Sequence, residues 1–179
     1  MFAREGAKVV VTGRRPEPLE EVAAETGGLA VAGDTADDGH VRAAVATAVE
    51  AFGGLDVVVA NAGLGFGGAA ADVDDERWQR TLDVNLTGAF RLARAAIPRA
   101  GRTGRRLDRP GLERERARER YRERRLRRVE GGDERLARSL AVDYGPKGIR
   151  ANAICPGWVI TEMGDRAMDD LVTERGISS

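Results

Sequence analysis

Tyr121 is followed four residues later by Arg125 in the stretch YRERR. On a helix that interval places a phenol and a cation on one face, and a phenol beside a base is the arrangement of a general acid. Arginine does not complete it, because guanidinium stays charged to above about pH 12 and cannot relay a proton as lysine can. Lysine occurs only at 8 and 147, and serine only at 139, 178 and 179. Tyr144 and Lys147 are three apart with Pro146 between them, and proline breaks the helix face they would have to share. A single cysteine, Cys155, excludes an internal disulfide, and with one histidine, His40, there are too few soft ligands for a zinc site. No metal is expected.

The 179 residues suit one domain, 1–179, with a buried core. The formal net charge is zero, so no global field draws the chain to nucleic acid or to an anionic membrane. No apolar run reaches the roughly 18 residues of a transmembrane span, and the first residues lack a signal peptide's charged-then-apolar order. The expectation is a soluble, cytoplasmic protein. Arginine outnumbers lysine 27 to 2, and 14 of those arginines fall between Gly101 and Arg135.

The elements that would carry any site alternate. AKVVVTG (7–13) is a β-branched run ending in glycine, and residues 16–26 carry helix formers after Pro16. GLAVAGD (28–34) precedes an amphipathic stretch from Asp38 to Phe52, and LDVVVANAG (55–63) precedes a helical one from Asp74 to Ile97. Residues 134–144 read as a helix stopped by Gly145 and Pro146, and IRANAICPG (149–157) as another strand. Near-continuous apolar strands alternating with helices predict an α/β parallel sheet covered on both faces. Between them, ERERARERYRERR has no apolar stripe to face a core. It reads as a solvated helix whose Glu/Arg pairs contribute only about 0.2–0.5 kcal/mol each.

Four motifs together resemble the short-chain dehydrogenase/reductase family: NAG at 61–63, DVNLTGAF at 83–90, LAVDYGPKGIRANAICPG at 140–157, and Thr161 five residues after Pro156. Their order and spacing match over roughly residues 1–100 and 136–170. The resemblance implies a Rossmann-like, doubly wound parallel sheet binding a nicotinamide dinucleotide at the carboxyl ends of its strands. It implies an oxidoreductase that interconverts a small-molecule carbonyl and a secondary alcohol by hydride transfer. Family members are often homotetramers.

In such enzymes the turn after the second strand selects the cofactor: an acid bonds the ribose hydroxyls, whereas arginine pairs with a 2′-phosphate. Here TGRRPE has Gly13 at the acid's place, followed by Arg14 and Arg15, which favours NADP(H) and leaves NAD(H) possible. By the resemblance, Asp34 would accept from the adenine amino group, and the backbone of Asn61, Ala62 and Gly63 would line the adenosine ribose. Pro156 and Gly157 would end a strand beside the nicotinamide, Thr161 would bond its carboxamide, and Asn85 would hold a water beside the catalytic lysine. Three of these have a plainer structural reading: Arg14 and Arg15 as solvated arginines, residues 61–63 as an ordinary tight turn, and Asn85 as a helix-bending residue. Gly63, Gly65 and Gly68 also spell GxGxxG with Asp83 about twenty residues on. No helix opens on those glycines in the sequence pattern, so they read as a loop near the substrate.

Departures from the family pattern are as informative. The family's opening strand and glycine-rich phosphate turn have no counterpart, since MFAREGAKVVVTG reads as a helix end leading into the second strand. The family's last strand would lie beyond Ser179. Both ends are therefore expected to be truncated, and a sheet without its first strand to be poorly stable. The family's acid is a tyrosine whose phenol is activated by a lysine four residues on, with a serine about 13 residues earlier orienting the carbonyl. Counting back about 30 residues from Pro156, as the family spacing requires, reaches Leu126, with Glu130 at the lysine's place.

A reading frame displaced by one nucleotide accounts for this. CTA at Leu126 read one base later gives tyrosine, and GAA at Glu130 gives lysine. Arg127, Arg128 and Val129 can give Ala, Ala and Ser. Asp108 to Glu113 can give Ile, Val, Leu, Val, Ser, Ser, a buried strand ending in serine 13 residues before the tyrosine. With CGN arginine codons, no other residue from 101 to 135 can yield tyrosine or lysine. YRERR is then an accident of frame, and the chain as translated is expected to be inactive. Two rivals follow. One is a catalytically dead dinucleotide-binding or scaffold domain. The other is a nucleic-acid-binding arginine helix over 101–135, locally net +6. Its eight acids and single aromatic, Tyr121, make that a poor stacking surface, and no nucleic-acid partner is expected.

Overall fold

The computed structural model describes residues 2–65, 70–100 and 127–155, and side chains in the last stretch from 131 onward. Tyr121, Arg125, Leu126, Pro156, Gly157, Thr161, Gly68 and the side chain of Glu130 lie outside the described residues.

After a short 3-10 turn (Phe2–Glu5), strand β1 (Val10–Gly13) leads into helix α1 (Pro16–Thr26) and strand β2 (Leu29–Ala32). Pro16 takes the first helical position, where its missing N–H has no intrahelical partner to lose. Gly27 ends the helix at φ 62°, a left-handed conformation that favours glycine. The chain thereby reverses and lays β2 parallel to β1, in the register Val10↔Leu29 to Gly13↔Ala32. One further backbone bond, from Gly33 N–H to Gly13 C=O at 2.8 Å, carries the pairing to the strand tips.

Helix α2 (Asp38–Phe52) is capped by Asp37, whose Oδ1 accepts from Gly39 N–H at 2.8 Å. Its buried residues Val41, Ala44, Val45 and Ala48 form one stripe at the i, i+3, i+4, i+7 spacing of a core-facing helix. The stripe packs on helix α4 (Gly88–Ala96), which with the preceding turn contributes buried Val84, Gly88 and Ala96. The buried apolar core among the described residues lies here. Gly88 is required by this packing: a Cβ there would meet Thr35 Oγ1 at 2.9 Å and Thr35 O at 3.1 Å.

The stretch expected as one helix from Asp74 to Ile97 is instead α3 (Asp75–Leu82), a π-helical turn (Asp83–Thr87) and α4. At the bulge Gly88 N–H reaches back five residues to Asp83 O, the signature of one extra residue in the turn. Helix α5 runs from Arg127 to Tyr144, beginning earlier than the expected 134. Its Gly132 brings backbone close to the π-turn, where an added Cβ would lie 3.0 Å from Leu86 Cδ2.

Two expected strands are corrected. Residues 55–63 form no strand beyond an isolated parallel bridge between Leu55 and Ala100, and residues 149–155 form none. A strand exists only through a ladder partner, and among the described residues the ladder is β1–β2 alone. Val57, Val59 and Ile154 accordingly stand 59%, 64% and 87% exposed. The α/β class holds, with a small parallel sheet.

Candidate functional site

Two clusters form where the sequence placed candidate residues, and the helical segment 75–96 touches both. The first sits at the carboxyl tips of β1 and β2. Because Gly13 and Gly33 are bonded across the sheet, the next residues, Arg14 and Asp34, are neighbours. Asp34 Oδ1 accepts from Ala36 N–H at 2.9 Å, closing an Asx turn. Asp34 Oδ2 accepts from Arg80 Nη2 of α3 at 2.5 Å. Partial burial pushes the Asp34 carboxyl up, but the Ala36 amide, the Arg80 guanidinium and the charge of Arg14 outweigh it and hold the carboxyl below its ordinary value. Arg14 acts on Asp34 through charge alone, without a hydrogen bond. Arg14 and Arg15 are both exposed.

Two further arginines fix the same loop. Arg91 donates to Ala36 C=O, and Arg94 Nη2 lies 2.6 Å from Asp38 Oδ1. Arg94, backed by Arg42 at 2.6 Å from Asp38 Oδ2, outweighs desolvation and lowers the Asp38 carboxyl. His40 closes the inner side, its Nε2 2.6 Å from Thr12 Oγ1 and its ring against the backbone of Gly33. Arg80, Arg91 and Arg94 thus grip residues 34–38 from one helical segment. Sequence reasoning missed them, because arginines on an amphipathic stretch read as its solvent face. The available signal was charge complementarity with Asp34 and Asp38, which needs tertiary placement to become visible.

The second cluster joins residues 61–65 to Asn85. The Asn85 side chain is a two-point clamp: Oδ1 accepts from Leu64 N–H at 2.9 Å and Nδ2 donates to Leu64 C=O at 2.8 Å. The amide satisfies an irregular backbone as a paired strand would, from within the π-turn. Asn61, Ala62 and Gly63 are exposed. A Cβ at Gly63 would meet nothing closer than Asn85 Oδ1 at 3.8 Å, so packing within the protein does not demand glycine there. That leaves an open backbone surface of small residues.

The groups that could transfer a proton are not assembled among the described residues. Helix α5 ends at Tyr144, and Lys147 lies in the following 3-10 turn. Its Nζ sits 5.2 Å from the Tyr144 ring centroid, over the face of the ring. That is a cation–π contact, not a lysine beside a phenol oxygen. An open cleft lined by Asp74, Glu76, Arg77 and Arg80 runs along α3 from its N-cap and shares only Arg80 with the first cluster.

Parallel strands whose tips carry a carboxylate and exposed arginines, linked through one helical segment to a clamped small-residue turn, fit a Rossmann-type architecture. The comparisons agree. A family profile described as Enoyl-(Acyl carrier protein) reductase matches residues 1–176. A 3-alpha-(or 20-beta)-hydroxysteroid dehydrogenase of Mycobacterium bovis is 40% identical over 174 residues, covering 93% of this chain and 65% of that protein. Oxidoreductase UcpA of Escherichia coli K12 is 33% identical over 181 residues, covering 92% of this chain and 64% of its own length. A crystal structure of a point variant of actinorhodin polyketide ketoreductase with NADPH superposes with a TM-score of 0.80 at 25% identity, covering 99% of this chain and 70% of that one. The chain belongs to the short-chain dehydrogenase/reductase family. It spans about 65% of the length of the curated relatives it matches. Among the described residues no helix is long and apolar enough to cross a membrane.

Proposed function

We propose that this chain derives from an NADP(H)-dependent oxidoreductase that interconverts a small-molecule carbonyl and a secondary alcohol, and that as translated it does not turn over. The observation that carries the reading is the juxtaposition, without a hydrogen bond, of Arg14 and Asp34 at the tips of two parallel strands. The residues present fit the adenosine half of a dinucleotide: an ionised carboxylate for the adenine amino group, exposed cations for a 2′-phosphate, and the open backbone of Asn61, Ala62 and Gly63 for the ribose. Bound there, the cofactor would supply the hydride.

Arg14 and Arg15 carry the phosphate preference by their side chains. Helix α1 opens with Pro-Glu-Pro at 16–18, so two of its first three backbone N–H donors are missing and its amino end is a poor anion site. Asn85 keeps the 61–65 turn in place through Leu64, and in this reading its neighbourhood is where a water beside the catalytic lysine would sit. Pro156, Gly157 and Thr161 keep their proposed nicotinamide roles by resemblance. The proton donor is what fails: no lysine stands beside a tyrosine hydroxyl among the described residues, and Glu130 falls at the lysine's place in the first turn of α5.

A second reading, a dinucleotide-binding domain without catalysis, is favoured by the same Tyr144–Lys147 geometry. NADPH and NADH titrations, run beside an NADPH-oxidation assay over a panel of ketones and aldehydes, address both. The first reading expects no turnover from this chain, and turnover only from a gene re-read one base later across codons 108–130 and joined to the family's opening strand and glycine-rich turn. The second expects saturable NADPH binding with both forms silent. Binding of neither dinucleotide overturns both readings. Sequencing genomic DNA across codons 98–138 checks the frame directly, since codons other than CTA at 126 and GAA at 130 would sink it.

A further inference from the structure

Asp34 and Arg14 present a problem that the site must solve. Two opposite charges at adjacent strand tips attract, and if they paired with each other the site would lose both an acceptor for a base amino group and a cation for a phosphate. Neither side chain is buried enough to be held apart by packing. The Asp34 side chain is 32% exposed and Arg14 is exposed. Among the described residues the cations whose charge reaches Asp34 are Arg80 and Arg14. Only Arg80 makes contact, from α3, 46 residues away in sequence.

We propose that Arg80 is a positioning residue that sets nucleotide specificity: by holding Asp34 Oδ2 it fixes the carboxylate plane and leaves Arg14 free to meet a 2′-phosphate. The proposal rests on the reading of Asp34 as the acceptor for the adenine amino group. With Oδ1 bonded to Ala36 N–H and Oδ2 to Arg80, both oxygens are anchored, and each keeps a further lone pair for a ligand donor. Ordering the acceptor before binding removes an entropic cost that the ligand would otherwise meet. Without the guanidinium of Arg80, Asp34 keeps one anchor and turns toward Arg14. One substitution, at a residue that contacts neither the base nor the phosphate, then degrades two selectivities together.

Arg94 supplies the control. It grips the same loop through Asp38 but does not touch Asp34, so its loss mimics any general loosening of residues 34–38. The probes are NADPH, NADH and nicotinamide hypoxanthine dinucleotide phosphate, in which a carbonyl replaces the adenine amino group and would oppose a carboxylate. Binding is followed by titration of the full chain and of Arg80→Met, Arg80→Lys and Arg94→Met, with thermal melting in parallel.

The unsubstituted chain should prefer the adenine form over the hypoxanthine form by about tenfold or more, the range of one hydrogen bond to a charged group. Arg80→Met should bring that ratio, and the NADPH-over-NADH ratio, below about threefold. Arg80→Lys should restore much of both, and Arg94→Met should lower melting temperature while leaving both ratios unchanged. Ratios preserved in Arg80→Met, with affinity for all three probes falling in parallel, would assign Arg80 a merely structural role and overturn the proposal alone. Equal binding of the adenine and hypoxanthine forms by the unsubstituted chain overturns the reading of Asp34, and the proposal with it. Binding of none of the probes does the same.

Discussion

At the tips of β1 and β2, Asp34 is held by a backbone amide and a guanidinium, and three arginines from one helical segment anchor the loop around it. Beyond the end of α5, by contrast, Lys147 rests on the face of Tyr144, and among the described residues no side-chain hydrogen bond or ion pair fixes either. The valines of 57–59 are likewise exposed where a strand would have been covered. One region meets the requirements of a binding site, with polar atoms partnered and charges oriented by distant parts of the chain. The other has residues of plausible type without the geometry. Side chains become a site when independent elements converge on them, and that convergence, more than residue identity, separates the two regions.

Stability variants break or sharpen the comparison. The largest effect is expected at the α2–α4 core that supports the ordered region: Ala44→Asp buries an unpaired charge in the apolar core and should cost about 3 kcal/mol or more. The same change at Val59, which is 64% exposed, should stay within about 0.5 kcal/mol. Chemical denaturation of the two variants measures the contrast, and equal losses would mean that residues 55–61 are covered. Next in size, Gly88→Ala forces a methyl against Thr35 Oγ1 and O and should cost about 1–3 kcal/mol. Gly63→Ala, with nothing nearer than 3.8 Å, should be almost neutral to melting.

Acid acts through the same ion pairs. Asp34 and Asp38 have lowered carboxyl values in the fold, so the unfolded chain binds protons first as pH falls. Their contribution is complete above the ordinary aspartate range, near pH 4, and is lost below it as the folded carboxyls titrate. Both side chains are about one-third exposed, so the effect is modest. Melting temperature should be flat from pH 7 to about pH 5 on their account and fall below about pH 4, with Arg94→Met flattening part of that fall. The smallest stability effect is expected from Arg14→Ala with Arg15→Ala: within about 0.5 kcal/mol on folding, yet a loss of the NADPH preference in titration.

How much of this was legible in the sequence depended on whether the signal was local. Helices α1 and α2 have the bounds that Pro16, Asp37, Gly27 and Gly53 dictate, because caps and breakers act within a few residues. The buried stripe of α2 follows from period alone. The expected strands did not appear over 55–63 and the described residues 149–155, because an apolar run is a strand only when a neighbour completes its ladder, and sequence pattern cannot supply the neighbour. The π-turn at Asp83–Thr87 was also hidden, since it answers the needs of Leu64, twenty residues earlier. Arg14 and Asp34 were named from motif position, whereas Arg80, which holds the Asp34 carboxylate, reads in sequence as another solvated arginine.

The most direct test uses half the dinucleotide, so that neither the hydride end nor turnover enters. Amide chemical shifts of the full chain should be followed during titration with adenosine 2′,5′-bisphosphate and, separately, with adenosine 5′-monophosphate. The account predicts saturable shifts at Arg14, Arg15, Asp34 and Ala36 and along Asn61–Gly63, at lower concentration for the bisphosphate. Unmoved amides at those positions, or shifts confined to other surfaces, would contradict it.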